Sequence, residues 1–192
     1  MPLWFASDPK KLLRDYSNAG GVLAFHETPP PITHVVDGGD DGSAAQLGKL
    51  VLYTDVTPEN MVFVPRDAAA RAELLALGLP HVAHDAREAV AALPAAASTL
   101  LFLNDMKGGE LAWLHAAAAS GALGKVNFLY MTTYLPPSGA DKARYGGTPR
   151  TDEVTAWVEG AGMRRVALIT RKDLGAAEAL FIRPPPPAAT KA

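Results

Sequence analysis

The stretch Ile32-Thr33-His34-Val35-Val36-Asp37-Gly38-Gly39-Asp40-Asp41-Gly42-Ser43 decides how the whole chain is read. Ile32–Val36 is an apolar run of the kind buried in a parallel sheet, and the acidic, glycine-rich residues after it form a turn. Working outward, Leu50–Thr54 is a second apolar strand, bounded by Asp55 and Pro58. Arg66–Leu77 is a helix that begins after Pro65 and stops at Gly78, with Leu74, Leu75 and Leu77 expected on its apolar stripe. Val82–Ala83 begins another strand, and His84-Asp85-Ala86 leads into a helix over Arg87–Leu93 that runs up to Pro94. A turn after one strand, an Asp after the next and a His-Asp-Ala after the third is a recognisable order. It is how a nucleotide-binding α/β domain sets a turn and two carboxylates around one ligand.

The remainder repeats the alternation. Leu100–Leu103 is a strand, Glu110–Ser120 an alanine-rich helix closed by Gly121, and Val126–Thr132 a long strand. Pro136–Gly147 is a loop. Thr151–Gly160 is a helix whose first turn carries Asp152 and Glu153, the favourable sign for its dipole. Val166–Thr170 and Ala177–Ile182 close the domain as a hairpin turned through Lys172–Gly175. Alternating strands and helices predict a mainly parallel sheet covered on both faces, with an antiparallel element at the end. Three units follow: an N-terminal extension over 1–31, with a capped helix over Lys10–Ala19, a short strand at Val22–Phe25 and a proline linker; the α/β domain over 32–183; and a proline-rich tail over 184–192.

Composition narrows the function classes. The chain has 192 residues, 48% of them hydrophobic and 20% charged, which is the balance of a globular domain with a real core. A net charge of −2 gives no electrostatic reason to expect nucleic acid or an anionic membrane as partner. The apolar runs are short and interrupted, so no transmembrane helix is expected. There are no cysteines, which excludes disulfides, thiolate metal sites and cysteine nucleophiles. Met1–Phe5 is too short for the apolar core of a signal peptide, so an intracellular setting is expected, cytoplasm or mitochondrion.

The residues from Ile32 to Arg183 resemble, in element order, the class I S-adenosylmethionine-dependent methyltransferases. In that family the first strand ends in an acidic residue followed by glycines at every second place. Asp37 and Gly39 match, whereas Asp41 and Ser43 stand where the second and third glycines belong. The next strand of the family ends in a carboxylate that holds the ribose hydroxyls, a place the resemblance gives to Asp55, with Val56–Met61 as the turn into the following helix. His84-Asp85-Ala86 with Leu93-Pro94 resembles the segment whose Asp reaches the adenine amino group. Thr99–Asp105 corresponds to the strand after it, at whose end Asn104 and Asp105 form the candidate catalytic, substrate-orienting pair. The resemblance therefore implies a methyltransferase-like Rossmann fold. If active, it implies an S-adenosylmethionine cofactor held by Asp37, Gly39, Gly42, Asp55 and Asp85.

The two missing glycines bear on activity. Glycine lets main-chain N–H groups approach a ligand without a Cβ in the way. The ligand end nearest that turn is an amino acid with a carboxylate, and Asp40 and Asp41 add like charge. Two like charges ~4 Å apart cost about 4 kcal/mol at an effective dielectric near ~20, roughly three orders of magnitude in affinity. Sliding the turn by one residue would instead bring Gly42 to the ligand and aim Asp41 outward; the residues admit both. Impaired binding is the expectation.

The bland readings stand beside these. The turn can be a solvated loop, and as a cation site it lacks the regular ligand spacing that calcium requires. Asp85 can simply cap the helix that follows it. His81 and His84 lie on a strand-like stretch that points them to opposite faces, with no third ligand following, so no zinc site is expected. His115 fits a packed or surface histidine, and Trp4, Trp113 and Trp157 fit packing residues or partner anchors. A dehydrogenase-like pyrophosphate loop fits poorly, because Gly-Gly-Asp-Asp-Gly lacks the spacing. Two functions remain: a methyltransferase-like structural or accessory subunit of a larger, mitochondrial assembly, docking to protein subunits through its N-terminal segment and tail, or an active methyltransferase on a small molecule or protein.

Overall fold

The computed structural model describes residues 32–39, 56–65, 67–104, 106, 108–134, 151–171 and 176–184. At its centre are six strands: β1 (His34–Asp37), β2 (Met61–Phe63), β3 (Thr99–Leu103), β4 (Val126–Tyr134), β5 (Arg164–Arg171) and β6 (Ala176–Ile182), in the order β2-β1-β3-β4-β6-β5. β1 runs parallel to β2 and β3, and β3 parallel to β4. β6 inserts antiparallel between β4 and β5, so the C-terminal hairpin expected from the sequence is present. A parallel bridge from Phe63 to Val82 extends the far edge. This is an α/β Rossmann-like fold with an antiparallel C-terminal hairpin.

All five residues of β3 are buried, as a central strand covered on both faces requires. Alternate side chains feed two cores. Val36, Leu101, Leu103, Leu129, Met131 and Phe181 face one side, with Val90, Leu114 and Val158 from the helices α2 (Ala86–Ala91), α3 (Glu110–Ala119) and α4 (Thr151–Gly160). Val35, Met61, Phe63, Leu100, Phe102, Phe128, Tyr130 and Leu180 face the other, with Leu74 of the helix α1 (Ala68–Ala76). Phe102 and Tyr130 stack there at 4.7 Å between ring centroids.

Two expectations need correction. The strand beside β1 is Met61–Phe63, at the end of the stretch read from the sequence as a turn into a helix. Val56, itself buried, and the single 3-10 turn Pro58–Asn60 lead into it. On α1 only Leu74 faces the sheet, at 1% exposure, while Leu75 and Leu77 are 52% and 53% exposed. Successive residues step ~100° around a helix, so a single line of contact takes one leucine and leaves its neighbours out. Gly78 and Gly121 end α1 and α3 at φ 74° and 72°, a left-handed conformation that side chains with a Cβ resist. The expected helix Lys10–Ala19, strands Val22–Phe25 and Leu50–Thr54, loop Pro136–Gly147, turn Lys172–Gly175 and the tail beyond Pro184 lie outside the described residues.

Candidate functional site

In an open α/β sheet, ligands settle outside the carboxyl ends of the strands where the strand order reverses. Here the chain leaves β1 towards β2 on one side, and leaves β3 towards β4 on the other. The reversal therefore falls between β1 and β3. The residues that end these two strands, Asp37-Gly38-Gly39 and Leu103-Asn104, meet at that crevice.

Asp37 closes β1 at 3% exposure and folds its carboxylate back, so that Oδ1 accepts the Gly39 N–H at 2.9 Å. The Gly38 N–H donates to Phe102 O at 3.0 Å, tying the turn to β3. Both glycines are required by the protein's own packing. A Cβ on Gly38 would sit 2.8 Å from Leu103 Cδ2 and 2.8 Å from Trp113 Nε1, and one on Gly39 would sit 2.8 Å from Asn104 O. Trp113, from α3, fills the notch under the turn, and its buried indole N–H has no hydrogen-bond partner among the described residues. The sequence admits Trp113 as a packing residue or a partner anchor; its contact with Gly38 carries no local signal.

The end of β2 carries no carboxylate. Phe63 is followed by Val64, whose N–H donates to Asp37 O at 2.8 Å, and by Pro65. The next acidic side chain, Asp67, caps α1 by accepting the Ala70 N–H at 2.9 Å. Asp55 lies outside the described residues, and the chain after it, Val56–Asn60, enters β2 at its N-terminal end, the edge opposite the crevice. Gly42 and Asp105 also lie outside them, as do Asp40, Asp41 and Ser43.

Asp85 follows the Val82 bridge and is exposed. It is the N-cap of α2: Oδ1 accepts the Glu88 N–H at 2.8 Å, and Glu88 Oε2 accepts the His84 N–H at 2.6 Å. The structural use anticipated for Asp85 is thus realised, and one of its oxygens is committed to the helix.

Asn104 stands one residue beyond β3, half-buried, and its Oδ1 accepts the Thr132 hydroxyl of β4 at 2.7 Å. Across β4, Thr132 is in register with Glu178 of β6, which is 8% exposed. Neither Thr132 nor Glu178 was singled out from sequence. Their approach depends on the β3–β4 register, which shifts at Thr99/Leu100, and on the antiparallel return of β6. Next along β4, Thr133 Oγ1 and Thr151 Oγ1 lie 2.9 Å apart, joining the strand to the start of α4. Among the described residues no group of three or more metal-ligating side chains converges. His115 is exposed against Trp157 at 4.9 Å.

No protein-family model and no curated protein matches the chain. Among solved structures it is similar to a SAM-dependent methyltransferase from Aquifex aeolicus, at 14% identity and TM-score 0.55, over 91% of this chain and 89% of that one. It is also similar to N,N-8-amino-8-demethyl-D-riboflavin dimethyltransferase from Streptomyces davawensis, at 18% identity and TM-score 0.53, over 80% of this chain and 50% of that one. LepI, solved in complex with SAM, gives 14% identity and TM-score 0.53 over 82% of this chain and 44% of that one. The chain thus spans nearly the whole Aquifex protein but half or less of the other two. The likeness is one of fold alone. No helix among the described residues is long and apolar enough to cross a membrane.

Proposed function

We propose that this protein is a methyltransferase-like subunit whose cofactor crevice no longer holds S-adenosylmethionine, and that it serves a structural or accessory role in a larger assembly of protein subunits in the mitochondrion. The observation that carries the reading is the end of β2, where Phe63-Val64-Pro65 offers no carboxylate to a ribose and Pro65 offers no N–H. Three further facts support it. Gly38 and Gly39 are accounted for by Trp113, Leu103 and Asn104, so their presence does not require a ligand. Asp85 already caps α2. Asp41 and Ser43 replace the two glycines that would admit main-chain contact to the ligand's amino-acid end. Together these residues do not fit the cofactor. The N-terminal segment and the proline-rich tail are the proposed docking elements. Gel filtration of a native extract tests the assembly: the protein should elute with other subunits, and elution as a free monomer refutes it.

A second reading is favoured by one observation: the Asp37 carboxylate holds the Gly39 N–H at the reversal point, the arrangement an active crevice would need. In that reading Asp37, Gly39 and Gly42 would line the methionine end, Asp55 would hold the ribose and Asp85 the adenine, with Asn104 and Asp105 orienting the acceptor. Transfer of an isotope-labelled methyl group from S-adenosylmethionine to any acceptor in extract, lost in Asp55→Ala, would establish it.

A further inference from the structure

The two lateral edges of the sheet differ in what they leave open. On one side β2 has only three residues, and the Phe63–Val82 bridge lies beyond it. On the other side β5 runs for eight residues, Arg164–Arg171, with β6 as its neighbour. Among the described residues nothing pairs with the outer side of β5, so alternate residues turn both main-chain groups away from β6. The strand is basic at both ends, Arg164-Arg165 and Arg171, with Val166-Ala167-Leu168-Ile169 between them. Arg164 is exposed and has no ion pair among the described residues, while Arg165 meets Glu159 at 3.5 Å on the surface. Val166 and Leu168 are half-buried, one against each core, which leaves apolar surface beside the open main chain.

The charges choose the occupant of this edge. A second copy pairing two-fold through β5 would run antiparallel to it, bringing the Arg164 end of one strand to the Arg171 end of the other. Like charges opposite one another destabilise a strand pair. A segment with carboxylates at its ends removes that objection. The register shift between Arg165 and Ala167 confines regular pairing to Ala167–Arg171, and the acidic end reaching past it meets Arg164. We propose that the outer edge of β5 is a docking surface for an extended acidic segment of a partner protein, which adds to the sheet as a further strand. The surface adds to the assembly reading above and uses none of its residues. A failed peptide titration therefore leaves the elution test standing, and a monomeric elution leaves this one standing.

The test is fluorescence anisotropy of a labelled peptide, Glu-Glu-Val-Thr-Val-Thr-Glu, titrated with the full chain. The expected result is saturable binding, with none for the counterpart in which lysines replace the glutamates. N-methylation of one alternate set of peptide residues should abolish binding, and N-methylation of the other set should leave it, because a strand meets an edge with one side of its main chain. Arg164→Gln, at an exposed position, should weaken the glutamate peptide about threefold, the size of a surface ion pair, with Tm unchanged. No binding of the glutamate peptide, equal binding of the lysine peptide, or tolerance of N-methylation in both sets overturns the proposal. Binding of single-stranded poly-thymidylate that falls equally in Arg164→Gln would make the strip a general anion surface and overturn it as well.

Discussion

The two edges of the sheet use their polar groups differently. At the N-terminal edge they bind main chain. Arg183, just past β6, donates to Leu123 O at 2.8 Å, Val126 O at 3.0 Å and Ala161 O at 3.5 Å, stitching three separate segments together. Lys125 donates to Leu93 O at 3.2 Å and Val90 O at 3.5 Å, satisfying carbonyls at the end of α2. Thr33 and Ser98 tie the entries of β1 and β3: the Thr33 N–H donates to Ser98 O at 2.9 Å, and the Ser98 N–H to Thr33 Oγ1 at 2.9 Å. At the C-terminal edge, the side chains of Asn104 and Thr132 bond to each other, and the main chain of Asn104 lies beside the Gly38-Gly39 turn. One edge is built to hold the chain; the other keeps groups that could meet a ligand. Stability should therefore respond to changes at the first edge and binding to changes at the second.

The largest effect is expected at the holding edge. Arg183→Met removes a cation from three carbonyl acceptors and should cost roughly 2–3 kcal/mol, a fall in Tm of about 4–10 °C, read by calorimetry. Burial pulls the Arg183 guanidinium below its ordinary value, but an arginine stays charged through neutral pH, so this loss should not vary between neutral and mildly alkaline buffers. A smaller loss is expected at the crevice turn, where Gly38→Ala drives a Cβ into Leu103 and Trp113. Overpacking of that kind costs about 1–3 kcal/mol, and thermal unfolding with near-ultraviolet dichroism of Trp113 measures it. A wild-type Tm there would mean that the turn yields freely and that its glycines are not explained by packing.

Asp85→Ala should lower stability by about 1 kcal/mol through the lost α2 cap. Asn104→Ala, at the open edge, should stay within about 0.5 kcal/mol of the wild type; a larger loss would erase the contrast between the edges. The smallest effect is a pH dependence. Partial burial lowers the pKa of His34 below 6.5, so the folded state binds its proton less well than the unfolded chain does. Stability should be at its fullest above pH 6.5 and decline as pH falls from there towards the lowered folded value. His34→Gln should flatten that slope in urea titrations at stepped pH.

The elements legible in the sequence are those with strong local signals. Glu110–Ala119 and Thr151–Gly160 begin with acidic first turns, and Gly121 closes the first. β3 and β4 are long apolar runs, and Asp85 announces itself as a cap. β2 was hidden because three buried residues show no periodicity, and Pro58 just before them suggests a turn. The strand expected from the sequence between Ile32–Val36 and Arg66–Leu77 was Leu50–Thr54, which lies outside the described residues together with Asp55. The Asn104–Thr132 pair joins positions 28 residues apart, and the Arg183 bonds join positions 22 to 60 residues apart. Only the sheet register brings such residues together, and no spacing in the sequence encodes it.

Calorimetric titration of the full chain with S-adenosylhomocysteine bears most directly on the crevice. A turn crowded by carboxylates and a β2 end without one predict no measurable heat of binding up to high micromolar ligand. Micromolar affinity, lost in Asp37→Ala or Asp55→Ala while the fold persists, would contradict this and make the protein a cofactor-binding methyltransferase.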